Sequence, residues 1–125
     1  LSRVIDELER RSSEFDTAML YVSDHGESLG ENGLYLHGIP YSIAPDEQTR
    51  VPMLLWGSRD FYAGEHVDET CLRQQEERPT SHDAIFHSVL PLFDVVSPAY
   101  DRTLDLLAGC RDRVERQMPV LSEHH

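Results

Sequence analysis

The sequence predicts an α/β fold, with a mainly parallel sheet flanked by helices, on three observations. Apolar residues repeat at helical spacing near the start, a short unbroken apolar run follows, and that run opens into a polar, glycine-rich loop. A run without alternation suits a strand buried on both faces, as in a parallel sheet. In such sheets, ligands bind beyond the carboxyl ends of the strands.

Leu1, Val4, Ile5 and Leu8 form the helical stripe, with Asp6, Glu7, Glu9 and Arg10 opposite, so an amphipathic helix with one buried face is expected. Residues 17–22 are the apolar run, and residues 51–56 read as a second strand. Pro52 lacks a ladder donor and belongs at that strand's start or on an edge. Residues 38–50 hold Pro40 and Pro45 and few large apolar groups, and read as a long surface loop. A short helix is expected near residues 69–75. Thr80 and Asp83 resemble a capping box ahead of a helix with an Ile85, Val89 and Leu92 stripe, to which Phe86 and Phe93 add. Pro91 costs about 3 kcal/mol in an unkinked helix interior, so a bend or early end is expected there. A last helix over residues 102–107 would end at Gly109. Residues 111–125 carry charge without a stripe and read as a loose tail, closing on His124 and His125.

The formal net charge of −12 disfavours nucleic acid, whose binding rests on basic side chains neutralising phosphates. No apolar run approaches the roughly 18 to 20 residues that a membrane helix needs. Cys71 and Cys110 fit two readings equally, a pair of buried thiols or a disulfide.

The chemistry gathers in residues 21–40, YVSDHGESLGENGLYLHGIP. Asp24 and His25 lie just past the first strand, and Gly26 permits the turn that lets neighbouring side chains converge. A carboxylate beside an imidazole suits zinc, and also accommodates manganese. Calcium and magnesium favour oxygen ligands alone. Two ligands do not complete a zinc site, and Glu27, Glu31 and His37 are the further candidates within the stretch. His37 is placed to hydrogen-bond a phosphate oxygen or to act as general acid or base. The plainer alternatives are a turn with a capping carboxylate at Asp24, and a solvated helix face at Glu27 and Glu31. His82 and His87, five apart, do not share a helix face, and capping-turn and surface roles are expected for them; His66 is expected to be exposed.

The long pattern S-D-H-G-E-S-L-G-E-N-G-x-Y-L-H-G-x-P resembles the C-terminal signature of the membrane-anchored phosphoethanolamine transferases. These belong to the alkaline phosphatase/sulfatase superfamily, and the likeness is greatest to those that modify lipid A and confer polymyxin resistance. EQTRVPMLLW and SHDAIFHSVLPLFDV resemble the family in order and spacing too. The resemblance implies that residues 1–110 are the C-terminal portion of a sulfatase-like catalytic domain. It further implies Asp24 and His25 as ligands of a catalytic zinc and His37 as a catalytic, substrate-binding residue. Glu27 is expected to support the ligands or to hold an additional metal.

The family moves phosphoethanolamine from phosphatidylethanolamine to lipid A through a threonine, at the periplasmic face of the bacterial inner membrane. Helices expected upstream would anchor the protein there. That compartment is oxidising, so the resemblance implies a Cys71–Cys110 disulfide. Thr17, Thr49, Thr70, Thr80 and Thr103 match no nucleophile context, so the nucleophile is expected outside this chain and the chain alone is expected to be inactive. The rival readings are a transferase for another acceptor, such as core heptose or a periplasmic glucan, and a non-catalytic module of the same fold.

Overall fold

A computed structural model of the chain describes residues 1–112; residues 113–125, with most of the expected tail and His124 and His125, lie outside the described residues. The chain divides into two compact units, Leu1–Phe61 and Tyr62 onward.

In the first unit, helix α1 (Ser2–Arg11) places Arg10 and Arg11 in its last turn, where cations complement the helix dipole. Arg11 also pairs with Glu7 at 2.7 Å, one turn back. The stripe is only partly covered. Ile5 and Leu8 are half-buried while Leu1 and Val4 stay exposed. Only the C-terminal end of the stripe is tethered, by the Thr17 hydroxyl donating to the Leu8 carbonyl at 3.1 Å.

Strand β1 (Ala18–Val22) pairs with β4 (Met53–Gly57), and Pro52 immediately precedes the latter. The pairing is antiparallel, with Ala18 opposite Gly57 and Val22 opposite Met53, which corrects the parallel ladder expected within this chain. The α/β class stands. A parallel pair needs a crossover that carries the chain back to the opposite end of the sheet. Here residues 23–52 leave β1 and rejoin β4 at one end. Ser58 locks the other end, its backbone N–H donating to Thr17 and its hydroxyl accepting from the Thr17 N–H.

The intervening segment holds two short strands, β2 (Ser28–Leu29) and β3 (Tyr35–Leu36), paired antiparallel across a 3₁₀ turn at Glu31–Gly33. One helical turn follows, α2 (Asp46–Thr49), inside the region expected as loop. Helix α3 (Arg59–Gly64) comes after β4.

In the second unit, α4 (Glu69–Arg73) starts on Asp68, whose carboxylate accepts from the Thr70 and Cys71 N–H groups. Cys71 and Cys110 form a disulfide with Cα atoms 5.6 Å apart. An antiparallel bridge joins Val67 to Arg111 beside it. His66 is exposed, with a left-handed backbone.

Helix α5 (Asp83–Leu92) begins after His82, not at Thr80, and no side chain caps it. It stops one residue past Pro91, as a proline lacking the N–H favours. Its buried face is Ala84, His87 and Ser88 rather than the larger stripe; Ile85, Val89 and Leu92 are half-buried and Phe86 and Phe93 exposed. Small residues four apart admit a close approach: the Ser88 hydroxyl donates to Ala84 and accepts from the Leu106 N–H at 2.8 Å. His87 is therefore buried and structural, which corrects the expected surface role. Its Nδ1 accepts from the Asp101 N–H at 2.9 Å.

The expected helix over 102–107 is a series of turns, and Gly109 caps no helix. Asp101 accepts from the Thr103 N–H and hydroxyl, and Asp105 from the Leu107 N–H. Such side-chain bonds compete with helical backbone pairing. Leu107 is the most buried large side chain here, at 1% exposure.

Candidate active site

Residues 23–52 build the site because both their ends are held. The Gly26 N–H donates to the Gln48 carbonyl at 3.0 Å, and the Gln48 side-chain amide donates to the Ser28 hydroxyl at 2.8 Å. Ser28 and Gln48 are both buried. A Cβ on Gly26 would lie 2.0 Å from the Glu47 carbonyl oxygen, so only glycine lets the two segments meet.

Asp24 follows β1 with its side chain almost fully in solvent. The His25 N–H donates to its carboxylate at 3.1 Å. That bond, its own N–H and the nearby imidazole hold the Asp24 carboxyl below its usual range. It is a persistent anion.

His25 is oriented by its backbone neighbour. Its Nδ1–H donates to the Gly26 carbonyl at 2.9 Å, while the Ser23 hydroxyl holds the His25 carbonyl at 2.8 Å. Spending Nδ1 on a carbonyl leaves the neutral ring's Nε2 with its lone pair free, the usual arrangement of a metal-ligating histidine. That Nε2 lies 3.8 Å from Asp24 Oδ2. Two donors on one tetrahedral zinc stand about 3.4 Å apart, so a small side-chain rotation lets both reach one ion. Among the described residues, no group of three or more such donors is gathered.

The β2–β3 hairpin returns His37 to this point. Leu36, in an uncommon left-handed conformation (φ +67°), turns the chain just before it. The His37 ring stacks on His25 with centroids 4.1 Å apart and a tilt of 31°. Its Nδ1 is 3.6 Å from Glu27 Oε1, which puts Glu27 beside His37 rather than beside the Asp24–His25 pair. Glu31 turns elsewhere. Its carboxylate accepts from the Leu29 N–H at 2.7 Å, and backbone N–H groups, its own first, lower its pKa. It braces the hairpin.

The two histidines line a cavity of about 280 Å³, together with Ile39, Tyr41, Ala44, Gln48 and Thr49. Thr49 donates its hydroxyl to the Pro45 carbonyl. Ser28 and Gln48 escaped the sequence reading because nothing local marks an approach across twenty residues. The glycine at 26 was the one visible trace.

A family profile described as Sulfatase matches residues 1–95. The phosphoethanolamine transferase EptA of Escherichia coli K12 is 46% identical over 112 residues, which is 89% of this chain and 20% of that protein. The phosphatidylethanolamine transferase Mcr-1 of E. coli is 43% identical over 104 residues, 82% of this chain and 18% of that protein. The crystal structure of the soluble domain of lipooligosaccharide phosphoethanolamine transferase A from Neisseria meningitidis superposes with a TM-score of 0.83 at 47% identity, covering 89% of this chain and 34% of that one. The chain thus spans about a fifth of the length of these transferases. With three quarters of its residues matched by the profile and the fold shared over 89% of its length, the chain belongs to the sulfatase family.

Proposed function

We propose that this chain is the C-terminal portion of a zinc-dependent transferase that moves phosphoethanolamine from phosphatidylethanolamine to lipid A. The observation that carries the reading is the His25 ring, tied through Nδ1 to Gly26 with Nε2 turned toward Asp24, and the His37 ring stacked on it at the cavity wall. The names of the relatives, phosphoethanolamine transferases at up to 46% identity, support the reaction class.

Asp24 and His25 would hold zinc, which when bound lowers the pKa of an alcohol nucleophile and offsets charge on phosphoryl oxygens. The nucleophile is a threonine supplied by the rest of the full-length protein. Its oxygen, having released its proton to water, would bond to phosphorus as the bond to the diacylglycerol oxygen breaks, and His37 would give that leaving oxygen a proton. In the second half, an oxygen of a lipid A phosphate would bond to phosphorus as the bond to threonine breaks, and protons from water would restore the threonine hydroxyl and His37. Glu27, with Oε1 3.6 Å from His37 Nδ1, would hold the ring in place beside the reacting groups.

The setting follows from the same reasoning. A disulfide persists in an oxidising compartment such as the periplasm. The structural neighbours include an integral membrane transferase from N. meningitidis and a periplasmic domain from Campylobacter jejuni. No helix among the described residues is long and apolar enough to cross a membrane, so the proposed inner-membrane anchor lies elsewhere in the protein.

A different acceptor is the second reading. It draws on a 34% identical relative in Salmonella typhimurium named Kdo(2)-lipid A phosphoethanolamine 7''-transferase. Mass spectrometry of lipid A after expression of the full-length gene decides between them. Phosphoethanolamine on a lipid A phosphate is expected; its appearance only on core sugars or glucans selects the other acceptor. No transfer to any acceptor by zinc-loaded protein points to a non-catalytic module. The isolated chain is expected to show no turnover with a fluorescent phosphatidylethanolamine donor.

A further inference from the structure

The second unit contains a cavity of about 430 Å³ that the proposed reaction does not use, with Arg78, Arg102 and Arg111 in its wall beside Thr103 and Asp105. Three guanidinium groups around one cavity are out of character for a chain of net charge −12. Most of the other described arginines sit beside carboxylates, among them Arg11 with Glu7, Arg50 with Asp46 and Arg73 with Glu69. Arg78 has no such partner among the described residues, and Arg102 spends one N–H on the Ala108 carbonyl at 2.8 Å. Arg111 pairs with Glu65 at 2.8 Å, yet its Nε is buried without a hydrogen-bond partner among the described residues. The protein supplies fewer acceptors here than the guanidinium groups can use. Asp105, the carboxylate in the wall, is already engaged by the Tyr100 hydroxyl at 2.8 Å and the Leu107 N–H at 2.9 Å.

The frame around these groups is fixed. Arg111 follows Cys110 of the disulfide and is bridged to Val67. The Gln75 amide donates to Cys110 Sγ at 2.9 Å, and the Gln75 carbonyl accepts from the Arg78 N–H at 2.9 Å. One covalent bond thereby ties together the segments that present Arg78 and Arg111. Arginine forks held in fixed positions match the oxygens of a phosphate, each charge-assisted bond being about twice as strong as a neutral one. We propose that this cavity is a binding site for a phosphomonoester-type anion, either inorganic phosphate or the phosphorylated headgroup of a lipid. The site is independent of Asp24, His25 and His37.

The test uses the full-length protein. Calorimetric titrations of the detergent-solubilised protein, one with inorganic phosphate and one with detergent micelles carrying lipid A against empty micelles, separate the two sources. Binding in the first arm alone assigns the free ion, and binding that requires lipid A in the micelles assigns the headgroup. Arg78→Ala, at an exposed position with no side-chain partner, is expected to weaken whichever binding is seen by about tenfold, and Arg78→Lys to restore part of it. Arg102→Gln should weaken it further. The Arg78 effect should persist in an Asp24→Asn background, because the metal-side residues play no part. Binding unaltered by Arg78→Ala in both arms, or an Arg78 effect that vanishes with Asp24→Asn, overturns the proposal.

Discussion

His25 and His37 in the 23–52 segment keep about half of each side chain in solvent, at 47% and 52% exposure, whereas His87 in α5 retains 9%. All three have a neighbour at hydrogen-bond or ion-pair distance, but the bonds differ in what they leave over. His87 accepts from a backbone N–H with Nδ1 inside a buried face, and so acts as a structural acceptor. His25 donates with Nδ1 to a backbone carbonyl and keeps Nε2 turned toward Asp24 and the cavity. The lesson is general. A histidine's role is written in which nitrogen the backbone consumes and where the other one faces, more than in its neighbours along the chain.

The largest test of this contrast removes the staple from the structural side. Replacing Cys71 and Cys110 together by serine releases a loop closed over 39 positions, and should cost about 4 kcal/mol in the chain-entropy model. Chemical denaturation with and without reductant measures it, and wild-type protein in reductant should fall to the level of the double variant. On the other side, Asp24→Asn should leave the denaturation midpoint unmoved, since the carboxylate is exposed. It should lower zinc affinity, and transfer activity at least a hundredfold, as read by metal titration and lipid A mass spectrometry. A loss of stability equal to the loss of activity would erase the distinction between the two regions.

Next comes His87→Ala, which strands the Asp101 N–H and opens a gap beneath α5, for about 1–3 kcal/mol. The same substitution at His37 should cost activity and almost no stability. The smallest effect expected is at Tyr100, where burial first and the Asp105 hydrogen bond second push the hydroxyl up to about 12. The folded protein holds that proton beyond the ordinary value of 10, so the contribution is complete below pH 10 and lost as pH rises toward 12. Tyr100→Phe should cost about 1 kcal/mol at neutral pH. Its deficit against wild type should disappear across pH 10 to 12 in denaturation midpoints.

Much of the local structure was legible in the residues. Helix α1, both central strands and the Asp68-capped α4 follow from apolar spacing and composition, which act within a few residues. The Asp24-His25 pair was legible because it stands at a strand's end among glycines. What escaped depends on distant partners. The antiparallel pairing is a property of the Val22–Met53 register, and an apolar run is compatible with either direction. The buried face of α5 went to Ala84, His87 and Ser88 because a backbone segment, not a large side chain, packs there. The turns after Tyr100 arose because Asp101 and Asp105 had specific N–H groups to accept from, although residues 102–107 carry helix-compatible side chains. The nearness of Glu27 to His37 is a matter of side-chain reach over a turn, which spacing along the chain does not encode.

The register of β1 against β4 has one further consequence. Because residues 23–52 leave and rejoin the sheet at one end, they form a self-contained cassette on a two-strand handle. Closing a loop costs entropy only as the logarithm of its length, so ten inserted residues add about 0.3 kcal/mol. The Gly26–Gln48 clasp lies near both exits and the β2–β3 pairing holds the hairpin, which leaves its tip at residues 31–34 free to lengthen without disturbing Asp24, His25 or His37. A sheet organised this way permits evolution, or an engineer, to exchange part of the segment while retaining Asp24 and His25 at the strand's end.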